Sequence, residues 1–155
     1  MTLPATDGDA ALVGRALELA REAGAHGDVP VGAVVAAADG TVLGAGRNER
    51  ELTHDPTAHA EVLALRAAAS ALGSWNLEGC TLAVTLEPCL MCAGAILQAR
   101  VSRVVFGAWD DKAGAAGSVY DVLRDRRLPV RAEVVGGVRA AEAAALLQSF
   151  FTDRR

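Results

Sequence analysis

Two short stretches constrain this chain more than any other: His59-Ala60-Glu61 and Pro88-Cys89-Leu90-Met91-Cys92. Two cysteines with two residues between them chelate one metal ion from the first turn of a helix. A histidine completes a three-ligand shell and leaves a fourth tetrahedral position for water, the pattern of a catalytic rather than a structural zinc site. Any fold for this chain must therefore bring the two stretches to one point, although one helix, a turn and one strand lie between them. Glu61 follows His59 by two residues, the wrong spacing for an i, i+4 co-ligand on a helix. It is placed instead to handle that water's protons. Pro88 introduces a helix with Cys89 and Cys92 in its first turn, where unpaired N–H groups and the helix dipole favour thiolates. His59 and Glu61 open a second helix in the same way.

The rest of the pattern supplies the scaffold. Residues 9–23 place Ala10, Val13, Leu17 and Ala20 at helical spacing between charged residues, ending near Gly24. Two β-prone runs, 29–38 and 41–47, are joined by Asp39-Gly40, a hairpin signal. Asp55-Pro56-Thr57 sets the next helix start, with Thr57 as N-cap; that helix runs to Leu72 before Gly73 and is expected to bury Val62, Leu63, Leu65 and Leu72. Residues 80–86 form a continuous apolar strand of the kind buried on both faces. A small-residue helix follows over 89–99. The strand 101–107 is then reached through a helix and so runs parallel to its predecessor. A Gly/Ala-rich loop over 113–118, a short helix over 120–123, a last strand over 131–135 and a closing helix over 140–151 complete the chain. Five strands and about five helices define an α/β chain, a three-layer α/β/α sandwich on a five-stranded mixed sheet. The expected organisation is one domain, 1–155, with 1–8 a frayed terminus.

At 155 residues, 52% apolar and 22% charged, the chain can bury a substantial core. No apolar run approaches the roughly 20 residues of a membrane span, and the first nine residues carry two aspartates and no basic residue, unlike a targeting peptide. Three cysteines cannot frame a disulfide scaffold, which points to a reducing, cytoplasmic setting. Cys80, left over, opens an apolar strand and reads as a buried thiol. A net charge of −4 argues against indiscriminate coating of nucleic acid but leaves room for a local basic patch.

The order His-x-Glu, then Pro-Cys-x-x-Cys, is the signature of zinc-dependent base deaminases; a lone Cys-x-x-Cys would fit a redox pair or half a zinc finger equally well. Beyond the motif, Val29-Pro30-Val31-Gly32-Ala33-Val34, Asn48, residues 55–61 and 85–92, Phe106-Gly107-Ala108 and Gly114-Ala115-Ala116-Gly117-Ser118 resemble the bacterial tRNA-specific adenosine deaminases across about residues 10–151. The resemblance implies a cytidine deaminase-like fold and one zinc per subunit on His59, Cys89 and Cys92, with Glu61 as the catalytic acid and base. It further implies a homodimer that converts the wobble adenosine in the anticodon stem-loop of an arginine tRNA to inosine. Carried over residue by residue, Asn48 binds the flipped-out nucleoside, Asp110 and Lys112 lie near the RNA backbone, and Phe150 and Phe151 lie near the anticodon loop; the alternative for the pair is packing of the last helix, and at least one of the two is expected to be core. Trp109 departs from the pattern, in which basic or polar residues are more usual before this aspartate. Arg47, Arg50, Arg124, Arg126, Arg127, Arg154 and Arg155 are candidates for a phosphate-contacting rim. Two rivals stand beside this reading. One is a deaminase of a free base or nucleoside such as cytosine or guanine. The other is a non-catalytic zinc-stabilised module with Cys80 or His54 as fourth ligand.

Overall fold

In the computed structural model, residues 3–154 are described. The order is α1 (Asp7–Ala25), β1 (Gly32–Ala36), β2 (Val42–Arg47), α2 (Arg50–Thr53), α3 (Ala60–Leu72), β3 (Thr81–Leu86), α4 (Leu90–Gln98), β4 (Arg103–Ala108), β5 (Glu133–Val135) and α5 (Ala140–Asp153). The sheet runs β2-β1-β3-β4-β5. β1 pairs antiparallel with β2 and β3, while β3–β4 and β4–β5 are parallel, so the sheet is mixed.

Strand alternation builds the three layers. Val35, Leu82, Val84, Val104, Phe106 and Val134 face one side and pack with Ala64, Leu65 and Ala68 of α3 and Ala93 and Ile96 of α4. Their neighbours Val34, Ala83, Val105 and Val135 face the other side, against Val13 and Leu17 of α1 and Ala143 of α5. Since successive side chains on a strand point to opposite faces, a strand buried on both reads as an unbroken apolar run.

The sequence expectation for α3 is corrected in two respects. Its N-cap is His59, not Thr57. Asp55 Oδ1 accepts hydrogen bonds from both the amide and the hydroxyl of Thr57, at 2.8 Å each, and this local turn delays the helix. The residues buried deepest on α3 are Ala60, Glu61, Ala64, Leu65 and Ala68, whereas Leu72 is exposed. The cause is close approach: a Cβ at Gly46 would lie 2.5 Å from the Ala60 carbonyl oxygen, and one at Gly44 would overlap the Ala68 amide nitrogen. With glycine on the strand, the helix backbone at Ala60, Ala64 and Ala68 comes directly against it.

Other boundaries also moved. Of the stretch 1–8 expected to fray, Met1 and Thr2 lie outside the described residues. Asp7 and Gly8 are helical, and the Leu3 amide donates to the Val134 carbonyl at 3.0 Å. A capping box fixes this start: Thr6 Oγ1 accepts from the Asp9 amide at 3.1 Å, and Asp9 Oδ2 accepts from the Thr6 amide at 2.9 Å. Asp9 is buried and also pairs with Arg103 at 2.6 Å. Residues 120–123 form no helix; their amides serve the preceding loop instead, with Tyr120 donating to Gly114 and Val122 to Ala115. The fifth helix is α2, four residues whose first amides, Glu51 and Leu52, donate to the buried carboxylate of Asp28 at 2.7 and 3.2 Å.

Candidate active site

The parallel pair β3–β4 ends at Leu86 and Ala108, and the antiparallel pairing brings the start of β1 and the end of β2 to the same edge. Ligand sites of open α/β sheets lie beyond the carboxyl ends of the strands, and a pocket of about 190 Å³ opens there. Its lining includes Val29, Asn48, His59, Glu61, Glu87, Cys89, Asp110 and Ala113. At this size it is smaller than the roughly 300–1,000 Å³ common for drug-sized ligands.

His59 and Cys89 are the N-caps of α3 and α4, and Cys92 lies one turn into α4. Two helix starts thus converge. His59 Nδ1 lies 3.6 Å from Cys89 Sγ and 3.5 Å from Cys92 Sγ, and the three donor atoms all fall within 4.8 Å of one another. Two soft thiols and one imidazole nitrogen, partly to fully buried, match tetrahedral zinc with one position left over. These three residues are positioned to bind the metal. Neither Cys80 nor His54, the fourth ligands of the rival reading, belongs to the cluster. Burial pushes the Cys80 thiol up.

Glu61 is buried on the pocket wall, one residue beyond the start of α3. Loss of hydration there pushes its carboxyl up to about 7. The two ligand thiols share a hydrogen bond and diverge. Cys89 is held well below the usual thiol range, first by the bond from Cys92 and then by His59, while Cys92, the donor and the more buried, is pushed up. His59 is raised, chiefly by its bond to Cys89.

The candidate substrate residues separate into two groups. Asn48 and Asp110 both line the pocket. Asn48 is oriented by its own contacts: Nδ2 donates to the Val29 carbonyl and Oδ1 accepts from the Arg50 amide, each at 3.2 Å. Asp110 Oδ1 accepts from the amides of Lys112 and Ala113, which turns the chain sharply at the rim. Lys112 is exposed and is not among the lining residues. Phe150 and Phe151 lie near the end of α5, edge to face at 5.3 Å, apart from the pocket. The expectation that one of them is core is corrected: Phe150 is half-buried and Phe151 is exposed. They sit in the last turns of a terminal helix, beyond its one fully buried residue, Ala143.

Most candidate rim arginines are engaged within the protein. Arg47 pairs with Glu22 and Glu49, Arg124 with Asp121, and Arg127 with Asp125. The Arg154 guanidinium stacks 3.7 Å over the Phe150 ring. Arg155 lies outside the described residues. Trp109 is half-exposed and meets Phe106 edge-on at 4.8 Å, so its ring serves at least in part as packing.

Sequence reasoning passed over two carboxylates, Asp28 and Glu87, both almost fully buried. Asp28 anchors α2, next to Asn48. Glu87 accepts from the amides of Asp110, Ala116 and Ser118 and from the Ser118 hydroxyl. The available signal was an acidic residue closing an otherwise apolar buried strand.

Comparison with known proteins agrees with this geometry. Residues 7–108 match the family described as the cytidine and deoxycytidylate deaminase zinc-binding region. A protein of Bacillus subtilis named tRNA-specific adenosine deaminase is 45% identical over 140 residues, 90% of this chain and 86% of that protein. The chain belongs to this deaminase family, in the branch of the tRNA-specific adenosine deaminases. A structure from a study of A-to-I editing by tRNA:A34 deaminases superposes with a TM-score of 0.84 at 40% identity, covering 88% of this chain and 99% of that one. A guanine deaminase from Nitrosomonas europaea shares the fold at a TM-score of 0.78 and 27% identity, over 98% of this chain and 87% of that one. A Deinococcus deserti protein named tRNA(Ile)-lysidine synthase is 53% identical over 92% of this chain, which spans only 27% of that protein's length.

Proposed function

We propose that this protein hydrolyses the wobble adenosine of an arginine tRNA to inosine, with release of ammonia. The observation that carries the reading is Glu61, a buried carboxyl on the wall of a base-sized pocket, adjoining the His59, Cys89 and Cys92 cluster. Zinc held by those three residues would supply Lewis-acid activation of water at neutral pH. Glu61 takes a proton from the attacking water, whose oxygen bonds to the amino-bearing carbon, and delivers it to the ring nitrogen beside that carbon. A second proton from the same water passes through the same carboxyl to the departing amine. Adenosine and water become inosine and ammonia, and Glu61 ends as it began. Asn48 holds the nucleoside edge, since an amide both donates and accepts.

The small pocket excludes a stacked or paired base, so the target nucleotide must turn out of its helix, which costs least where it is already unpaired. An anticodon-loop adenosine meets that condition. Asp110 on the pocket wall and Lys112, Phe150 and Phe151 outside it carry the RNA, the two rings by stacking on unpaired bases. A homodimer working in the cytoplasm completes the reading. Leu90, Met91, Val119 and Tyr120, exposed apolar residues around the Cys89–Gly114 bridge, supply an apolar surface for the second copy. Among the described residues no helix is long and apolar enough to cross a membrane.

The test offers the zinc-loaded protein an arginine-tRNA anticodon stem-loop with adenosine at the wobble position, and separately free adenosine, cytosine and guanine. Ammonia is measured, and inosine is measured in the RNA. Inosine in the RNA with the free bases untouched supports the proposal; turnover of a free base with unreacted RNA overturns it in favour of small-molecule deamination.

A further inference from the structure

The loop 110–118 forms one wall of the pocket; it holds no helix or strand, and the buried Ala115 and Ala116 seat it in the core. Besides its backbone bonds, four of its donors converge on one side chain, Glu87, the residue after β3. Both Glu87 oxygens act as acceptors only. Oε1 takes the Asp110 amide at 2.9 Å together with the Ser118 hydroxyl, and Oε2 takes the amides of Ala116 and Ser118 at 3.0 Å each. The loop wraps the carboxylate so closely that a Cβ at Gly114 would overlap it. The same loop is bridged to the metal-ligand turn: Gly114 pairs with Cys89, and the Ala115 amide donates to the Pro88 carbonyl at 2.8 Å. Glu87 lies two residues before Cys89 and directly beneath the wall that carries Asp110 and Ala113. The carboxylate is satisfied by backbone and hydroxyl donors of that one loop and takes no part in the β3–β4 pairing.

We propose that Glu87 is a positioning residue for substrate: it fixes the 110–118 loop so that the Asp110–Ala113 wall already stands in its substrate-ready shape before the nucleotide enters. The functional part of this inference rests on the adenosine deaminase reading above; the structural part does not. When only a fraction of molecules holds the competent shape, apparent affinity falls by that fraction. Loss of Glu87 therefore raises KM and spares kcat at saturation, because bound substrate selects the ordered wall.

Glu87→Gln is the discriminating variant. With the amide nitrogen at the Oε1 position, the Ser118 hydroxyl can rotate to accept, and only the Asp110 N–H loses its acceptor; at the Oε2 position two backbone N–H groups would. The variant should settle in the first arrangement, freeing the wall at Asp110 while the Ala116 and Ser118 amides stay paired. Hydrogen exchange at the Asp110 amide is expected to quicken about tenfold or more, with the Ala93 amide of α4 unchanged. With an RNA adenosine substrate, KM is expected to rise about tenfold and kcat to stay within about threefold. Ser118→Ala, the milder variant should Glu87→Gln fail to fold, is expected to raise KM about threefold with kcat unchanged. Asp110 protection equal to wild type, or a fall in kcat at unchanged KM, overturns the proposal. If no adenosine substrate is turned over by the wild-type protein, the substrate reading has failed and the exchange measurement alone decides the role of Glu87.

Discussion

Replacing Gly46 by alanine tests how the sheet sets the metal site from behind. The added Cβ would stand 2.5 Å from the Ala60 carbonyl oxygen and 2.7 Å from the Ala64 amide nitrogen, both backbone atoms of α3. Since these atoms cannot rotate away, α3 or β2 must move by about 0.5 Å merely to reach the closest contact a real Cβ makes, 3.0 Å. The end of α3 that moves carries His59 and Glu61. Metal sites hold their ligand distances within about 0.2 Å, so the shift exceeds what the site tolerates. Over-packing of this kind costs about 1–3 kcal/mol, which for a chain of this size lowers Tm by roughly 2–12 °C at about 2–4 °C per kcal/mol. The assay is calorimetric melting of the zinc-loaded protein, paired with a chelator titration in which zinc affinity falls about tenfold or more. Gly94→Ala, the same chemical change on α4 where a Cβ meets nothing within 4 Å, is the control. It is expected to stabilise by about 0.5–1 kcal/mol. A Gly46→Ala protein that melts with wild type and yields its zinc at the same chelator concentration would refute the reasoning.

Asp9→Ala removes the capping box of α1 and leaves the Arg103 guanidinium, only partly exposed, without its 2.6 Å partner. A loss of about 1–3 kcal/mol in urea unfolding is expected, with zinc content unchanged. Cys80→Ala is expected to keep one zinc per chain by metal analysis, because Cys80 lies outside the ligand cluster; loss of the metal would revive a fourth-ligand role. Zinc supplied at about 1,000 times its Kd stabilises the fold by about 4.1 kcal/mol. Stripping it with a chelator should therefore lower Tm by about 8–16 °C on the same scale, and an unchanged melt would place the metal outside the folded core.

The parts of the fold that were legible in the sequence are those written in local pattern. Asp39-Gly40 announced the β1–β2 hairpin, the unbroken apolar runs announced strands buried on both faces, and the two ligand motifs announced two helix starts aimed at one point. What escaped was decided by side chains far away in sequence. The α2 helix depends on Asp28, 23 and 24 residues from the amides it accepts. The 110–118 loop depends on Glu87, 23 to 31 residues away. The expected helix over 120–123 lost its amides to that same loop. The start of α3 was misplaced for a local reason, the Asp55 turn, in which a side chain competes with the helix for the Thr57 amide. The glycines on β2 set Ala60, Ala64 and Ala68 of α3 against the strand, while Leu72, the last residue of the helix, is exposed.

The most direct measurement is single-turnover inosine formation by wild type and Glu61→Gln on a wobble-adenosine stem-loop, with zinc content determined on the same samples. Both proteins should hold one zinc per chain, and only wild type should make inosine at an appreciable rate, the variant falling by about 10²–10⁴-fold. A zinc-loaded Glu61→Gln protein that forms inosine as fast as wild type would contradict the account.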